Sequence, residues 1–202
     1  MTQQGAGRLV VGISGASGAR LGVRVLDALR ELKVESHLVI SKAAAMTIAE
    51  ETGLTAAAAS AKADVTHKVS DIGAAIASGS FRALGMIIAP CSVRTMSEIA
   101  TGATSSLLTR AADVTLKERR PLVLMVRESP LHLGHLRTLV KLAEMGAVIA
   151  PPMPVFYANL TSIEDMIDQS VGRALDLFGL AWGPVRRWGE SIGPAPSSGQ
   201  TV

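Results

Sequence analysis

The chain has 202 residues, 48% of them hydrophobic but only 3% aromatic, with 19 glycines and a formal net charge of +3. That length suits one domain with an aliphatic core, while so weak and dispersed a basic excess, with few rings to stack bases, argues against nucleic acid. A lone cysteine, Cys91, excludes an internal disulfide and a cysteine-rich zinc site, and without an apolar signal core or a membrane-length apolar run the expectation is a cytoplasmic protein.

Arg8 to Ser14 is a nearly unbroken β-branched run that predicts a buried parallel strand. Gly15-Ala16-Ser17-Gly18 is the turn after it, and Leu21, Val25, Leu29 and Leu32 give Ala19 to Leu32 a helical period. Glu35 to Ile40 predicts a second strand and Ala43 to Glu51 a helix, whereas Thr52 to Ala63, rich in Ala, reads as helix or loop. Leu84 to Ala89 is a third strand, running into Pro90-Cys91-Ser92 and a helix from about Thr95 to Thr101. A further helix over Ser105 to Glu118 precedes a fourth strand, Pro121 to Val126. Leu133 to Met145 has an amphipathic helical pattern, and Ala147 to Ala150 is a fifth strand stopped by Pro151-Pro152. The last helix spans Ser162 to Phe178, with Ser162 as N-cap and Gly179 as its stop. Alternating strands and helices imply a parallel, doubly wound, three-layer α/β/α fold that binds ligands beyond the carboxyl ends of its strands.

The spacing Gly12-x-x-Gly15-x-x-Gly18 lets backbone approach an anion at a helix N-terminus, although the same turn can exist without a ligand. It differs from the dinucleotide spacing, and the second strand ends in Ser41-Lys42 rather than an acid for a ribose diol, so a mononucleotide fits better. Arg127-Glu128 stands at a strand end, where Arg can clamp a phosphate and a buried Glu would move a proton. Cys91 reads as a buried filler rather than a nucleophile, and His132-x-x-His135 as helix-end contacts without a third metal ligand. His67 reads as a satisfied or surface residue, Ser17 lacks a Ser-His-Asp context, and Trp182 and Trp188 read as anchors of the tail or of a subunit contact.

Several motifs then occur in order: Val11 to Ala19 (VGISGASGA), His37 to Lys42 (HLVISK), Ala77 to Phe81 (ASGSF), Pro90-Cys91-Ser92, Arg110 to Val114 (RAADV), Leu116 to Arg119 (LKER), Val126-Arg127-Glu128 and Phe156-Tyr157. Together, from about Arg8 to Glu190, they resemble the UbiX-type flavin prenyltransferases. The resemblance implies a flavodoxin-like (Rossmann-like) fold, with an FMN-binding domain over 8–180 and a tail over 181–202. The first part of that tail would pack near the site or a neighbouring subunit, and its last residues would be disordered. A homododecamer with sites between subunits is implied, as are reduced FMN, dimethylallyl phosphate as donor, no metal, and prenylated FMN delivered to a UbiD-type decarboxylase.

Residue by residue, the resemblance places Gly15, Ala16 and Ser17 against the flavin, and Ser41, Ser92, Thr95 and Arg127 among FMN contacts. Ser78, Gly79, Arg110, Lys117, Tyr157 and Arg173 match the group holding the donor phosphate, with Trp188 over the prenyl pocket. Ser17, Glu51 and Glu128 match residues implicated in proton handling. The chemistry agrees: cations would stabilise the charge that grows on a departing phosphate. The chain departs from the family pattern at Val93, Arg94 and Leu131 to Arg137, which leaves donor preference and subunit packing open. Two rivals remain. An FMN-dependent cysteine-type decarboxylase would need a catalytic His and an Asn that Pro151 to Tyr157 lacks, and a non-catalytic FMN-binding partner would not need so complete a polar set.

Overall fold

The computed structural model describes residues 7–193. Six strands, β1 (Arg8–Ile13), β2 (Glu35–Ile40), β3 (Val65–His67), β4 (Gly85–Cys91), β5 (Leu122–Val126) and β6 (Val148–Ile149), form one sheet. All neighbours pair in parallel, in the order β3-β2-β1-β4-β5-β6. Seven helices connect or follow them: α1 (Ala19–Glu31), α2 (Lys42–Thr52), α3 (Ala56–Ser60), α4 (Val93–Thr101), α5 (Leu107–Lys117), α6 (Leu133–Glu144) and α7 (Ile163–Asp176). The expected doubly wound α/β/α fold is present.

Strand periodicity explains the layers. In β1, Leu9, Val11 and Ile13 face a core with residues of α1, α2, α3 and α7, while Val10 faces the opposite core with residues of α4, α5 and α6. With both faces covered, the inner strands carry apolar side chains almost throughout. The chain runs outward through β2 and β3, then returns to place β4 on the other side of β1. The strand order therefore reverses between β1 and β4, which opens a crevice at their carboxyl ends.

Three differences from the sequence reading, and one feature that it left open, bear on the site. β3 was not expected; its three residues are half-exposed and carry no apolar run. Within Thr52 to Ala63, only Ala56–Ser60 forms a separate helix. β4 continues through Pro90 to Cys91 with a register shift, because β5 still pairs with Cys91, and α4 begins at Val93. Finally, the amphipathic face of α6 is mostly left open: Leu142 is its one fully buried residue, while Leu133, Leu136 and Val140 are exposed.

Beyond α7 the chain folds back on the domain. Trp182 is buried, its indole N–H donates to Glu31 at 2.7 Å, and the Arg24 guanidinium lies over its ring. The buried Gln169 amide pairs with both the N–H and the carbonyl of Arg186. The expected disorder of the last residues concerns 194–202, outside the described region.

Candidate active site

A cleft of about 700 Å³ lies at the carboxyl ends of β1, β2, β4 and β5. Eight expected residues line it: Gly15, Ala16, Ser17, Ser41, Ser92, Thr95, Arg127 and Glu128. Local hydrogen bonds build its floor. The buried Ser14 hydroxyl donates to the Pro90 carbonyl at 2.9 Å and accepts the Ser92 N–H at 2.7 Å, locking the end of β1 to the end of β4. Gly15 is glycine for a steric reason, since a Cβ there would sit 2.3 Å from that of Ala43. That close approach presses the first turn of α2 against the β1 loop.

Two helix N-termini open onto the cleft. Ser41 caps α2 by accepting the Ala44 N–H, and Ser92 caps α4 by accepting the Thr95 N–H while donating to the Thr95 hydroxyl. Such termini favour an anion. Arg127 and Lys42 line the same space and form no ion pair among the described residues. The opening suits a mononucleotide-sized ligand in volume, and its free cations suit one that carries a phosphate.

The expected proton-handling acids behave differently from each other. Glu51 does not line this cleft; it faces a smaller hollow of about 490 Å³ between α1, α2 and α7. Its carboxylate accepts the N–H of Gly18 at 2.8 Å and that of Ala19 at 2.7 Å. Gly18, at φ 102°, has no side chain to cap α1, so an acid 33 residues away does so. The Gly18 and Ala19 N–H groups at the start of α1 are therefore taken, whereas the N-termini of α2 and α4 open onto the cleft. Glu128 lines the cleft but is exposed, with Oε1 accepting the Ser129 N–H. The burial under which the sequence made it a proton acceptor is thus not met within one chain.

One chain does not gather the residues expected to hold the donor phosphate. Arg110 and Lys117, seven apart on α5, share one helix face in the layer that also carries α4 and α6. Lys117 adjoins Gly79, next to Ser78. Arg173 lies on α7, in the opposite layer, and Tyr157 meets Trp188 edge-on with centroids 5.5 Å apart. Each cation is held by a nearby acid: Arg110 by Asp113, Lys117 by Glu118 and Arg173 by Asp176. Asp176 also binds Arg187, whose hydrogen bonds are the main reason its carboxyl is held below the usual range.

The residues set aside by sequence keep bland roles. Cys91 is fully buried, which pushes its thiol up to about 12. His132 caps α6. His67 binds His37 and does not line the cleft. Sequence reasoning missed Glu98, Ser105 and Thr109, which also line the cleft. The signal was faint: Ser106 and Thr109 form a capping box at the start of α5, recognisable only as a helix start.

Comparison with known proteins bears on what this arrangement does. The family model of flavoproteins matches residues 1–175. The flavin prenyltransferase UbiX of Escherichia coli K12 is 58% identical over 174 residues, covering 86% of this chain and 92% of that protein. The crystal structure of AnUbiX (PadA1), in complex with FMN and dimethylallyl pyrophosphate, superposes with a TM-score of 0.89 at 52% identity, covering 91% of this chain and 97% of the other. A dodecameric FMN-dependent UbiX-like decarboxylase from E. coli O157:H7 superposes at 0.88 with 48% identity, covering 90% and 98%.

Proposed function

This chain belongs to the flavoprotein family, among the UbiX flavin prenyltransferases, and from that premise we propose that it joins the dimethylallyl group of dimethylallyl phosphate to N5 and C6 of reduced FMN. The observation that carries the proposal is the lining of the cleft: two helix N-termini beside Arg127 and Lys42, neither of these cations ion-paired among the described residues. The reduced flavin supplies the nucleophile, and the protein orients it and handles charge. Ser41, Ser92, Thr95 and Arg127 hold its phosphate end, while Gly15, Ala16 and Ser17 offer backbone to its ring. Glu128, at the same rim, takes a proton released when the new bonds form, and the packing of a neighbouring subunit supplies the burial this role needs. Glu51 acts from behind, by holding the start of α1 and with it the loop that carries Ser17.

Arg110, Lys117 and Arg173, with Ser78, Gly79 and Tyr157, stabilise the departing phosphate. Trp188 shields the allyl group from water. Because these groups occupy separate faces of one chain, the reading places the donor site between subunits of a homo-oligomer. The dodecameric relative and the uncovered α6 side chains Leu133, Leu136 and Val140 support a homododecamer. No helix among the described residues is long and apolar enough to cross a membrane, in keeping with a cytoplasmic enzyme that hands prenylated FMN to a UbiD-type decarboxylase. Nothing favours the cysteine-decarboxylase reading, whose imidazole is missing from the cleft. The test is anaerobic incubation with reduced FMN and dimethylallyl monophosphate or pyrophosphate, followed by mass measurement of the flavin. A gain of one five-carbon unit is expected. Unchanged flavin with both donors, from folded FMN-loaded protein, removes the proposal.

A further inference from the structure

The turn Ser78 to Phe81 is held from behind by one side chain. Arg120 donates from Nη1 to the Phe81 carbonyl at 2.6 Å and from Nη2 to the Gly79 carbonyl at 2.7 Å. The aim of that fork is set by how α5 ends. Arg119 adopts a left-handed φ of 54°, its N–H donates to the Leu116 carbonyl, and the Arg120 N–H donates to the Thr115 carbonyl. This is a Schellman stop in which Arg occupies a place usually given to Gly, so the chain accepts some backbone strain there. The turn directs Arg120 back toward the loop rather than outward.

The fork also sets the orientation of the loop peptide. A trans peptide points its N–H opposite to its carbonyl, so tying the Gly79 carbonyl to Arg120 turns the Ser80 N–H away from it. That N–H donates to the Ser78 hydroxyl, which also bonds the Ser80 hydroxyl at 2.9 Å. On the flank, a Cβ at Gly79 would lie 2.7 Å from the Lys117 ammonium and 2.2 Å from Glu118 Oε1, so the ends of both side chains reach the loop backbone here.

We propose that Arg120 is the positioning residue of the prenyl-donor site: its guanidinium fork holds the Ser78–Gly79 turn in register with the Lys117 ammonium, without touching the donor itself. The inference rests on the reading above, in which Ser78, Gly79 and Lys117 meet the donor phosphate. Lysine cannot replace the fork, because a point charge does not span two carbonyls in fixed geometry.

The test compares the wild-type enzyme with Arg120→Met, Arg120→Lys and Arg120→Ala in steady-state prenylation with dimethylallyl monophosphate, alongside FMN affinity and thermal melting. Arg120→Met is expected to raise donor KM roughly tenfold, from two lost hydrogen bonds, while kcat, FMN affinity and melting temperature stay close to wild type. Arg120→Lys should fall between, and millimolar guanidinium should restore donor affinity to Arg120→Ala. Donor KM within about twofold of wild type in folded Arg120→Met overturns the inference, as does an equal loss of FMN affinity. If Arg120→Met does not fold, an unchanged donor KM in Arg120→Lys overturns it instead. A wild-type protein that leaves FMN unprenylated defeats the underlying reading, a result visible before any variant is made.

Discussion

At the carboxyl ends of β1, β2, β4 and β5, one chain brings the expected flavin contacts to a single cleft. The cations expected to meet the donor phosphate instead stay apart, on α5 and α7, in opposite layers and each beside its own acid. The cleft follows from topology, because the reversal of strand order between β1 and β4 makes it in any chain that folds this way. The donor site has no such guarantee, and its parts lie on surfaces that a second copy can join. Flavin binding should therefore survive changes that abolish transfer.

The largest effect belongs to Glu128. Replacing it with Gln should leave FMN binding near wild type and lower turnover by roughly 10²–10⁴, the usual worth of a general base. Normal turnover would remove its proton-handling role. Next come Arg110→Ala and Arg173→Ala, each expected to slow prenyl transfer by about 10²–10³ with FMN affinity unchanged. These two variants also test the division itself. Co-expressed, they should form mixed oligomers in which some sites draw an intact Arg110 from one subunit and an intact Arg173 from another, so part of the activity returns. Mixed assemblies as inactive as the single variants would place both residues in one subunit's site, against the proposal.

Breaking the other region should reverse the pattern. In Gly15→Ala the new methyl meets the Ala43 side chain, and the overpacking cost of about 1–3 kcal/mol falls on the α2 turn that carries Ser41. Flavin affinity should drop roughly five- to 150-fold by that cost, seen by titration with FMN. An unchanged affinity would mean that α2 yields freely. Smaller still is Glu51→Gln. It keeps an acceptor for Gly18 and Ala19 but loses the charge at the N-terminus of α1, a loss of about 0.3–1 kcal/mol in urea unfolding. Turnover should fall only as far as the Ser17 loop loosens. A collapse of turnover with stability untouched would return Glu51 to a direct proton-transfer role.

Much of this was legible in the sequence. β1, β4 and β5 were visible because buried parallel strands are written as nearly unbroken apolar runs, and most of the cleft-lining residues because they stand just beyond a strand end. β3 escaped because it is three residues of half-exposed edge. The apolar face of α6 was visible in the sequence but not its exposure, since periodicity records that a face is apolar and not whether this chain or another covers it. The hydrogen bonds that Glu51 makes to the start of α1 were not visible in the sequence. No local pattern links Glu51 to Gly18, and only the fold brings that carboxylate to a helix end that lacks its own cap. The sequence did not show where the cations expected at the donor phosphate lie relative to one another, and each stands one to three residues from its own acid (Asp113, Glu118, Asp176) like an ordinary surface pair.

The smallest effect concerns pH, and it separates the two regions by a different route. His67 Nε2 lies 3.0 Å from His37 Nδ1, and His37 Nε2 lies 2.8 Å from the Glu35 carboxylate, which also pairs with Arg8. Only one proton fits between the two imidazoles. Burial first, then the neighbouring His37, hold the His67 pKa below its ordinary 6.5, against a weaker pull from Asp71. As pH falls through about 6.5, the unfolded chain takes up a proton that the native His67 does not. Stability from this group is therefore complete above that pH and declines below it. Urea unfolding at pH 7.5 and at roughly 5.5 should show the wild type losing more than His67→Gln, whose amide can still donate to His37. Equal losses would sink the assignment. The effect should also be one-sided, because His37 packs edge-on against Phe81, whose carbonyl Arg120 holds, and neither histidine lines the flavin cleft. Mild acid should raise donor KM before it weakens FMN binding. A parallel rise in both would mean that the histidine pair supports the sheet as a whole rather than the donor loop.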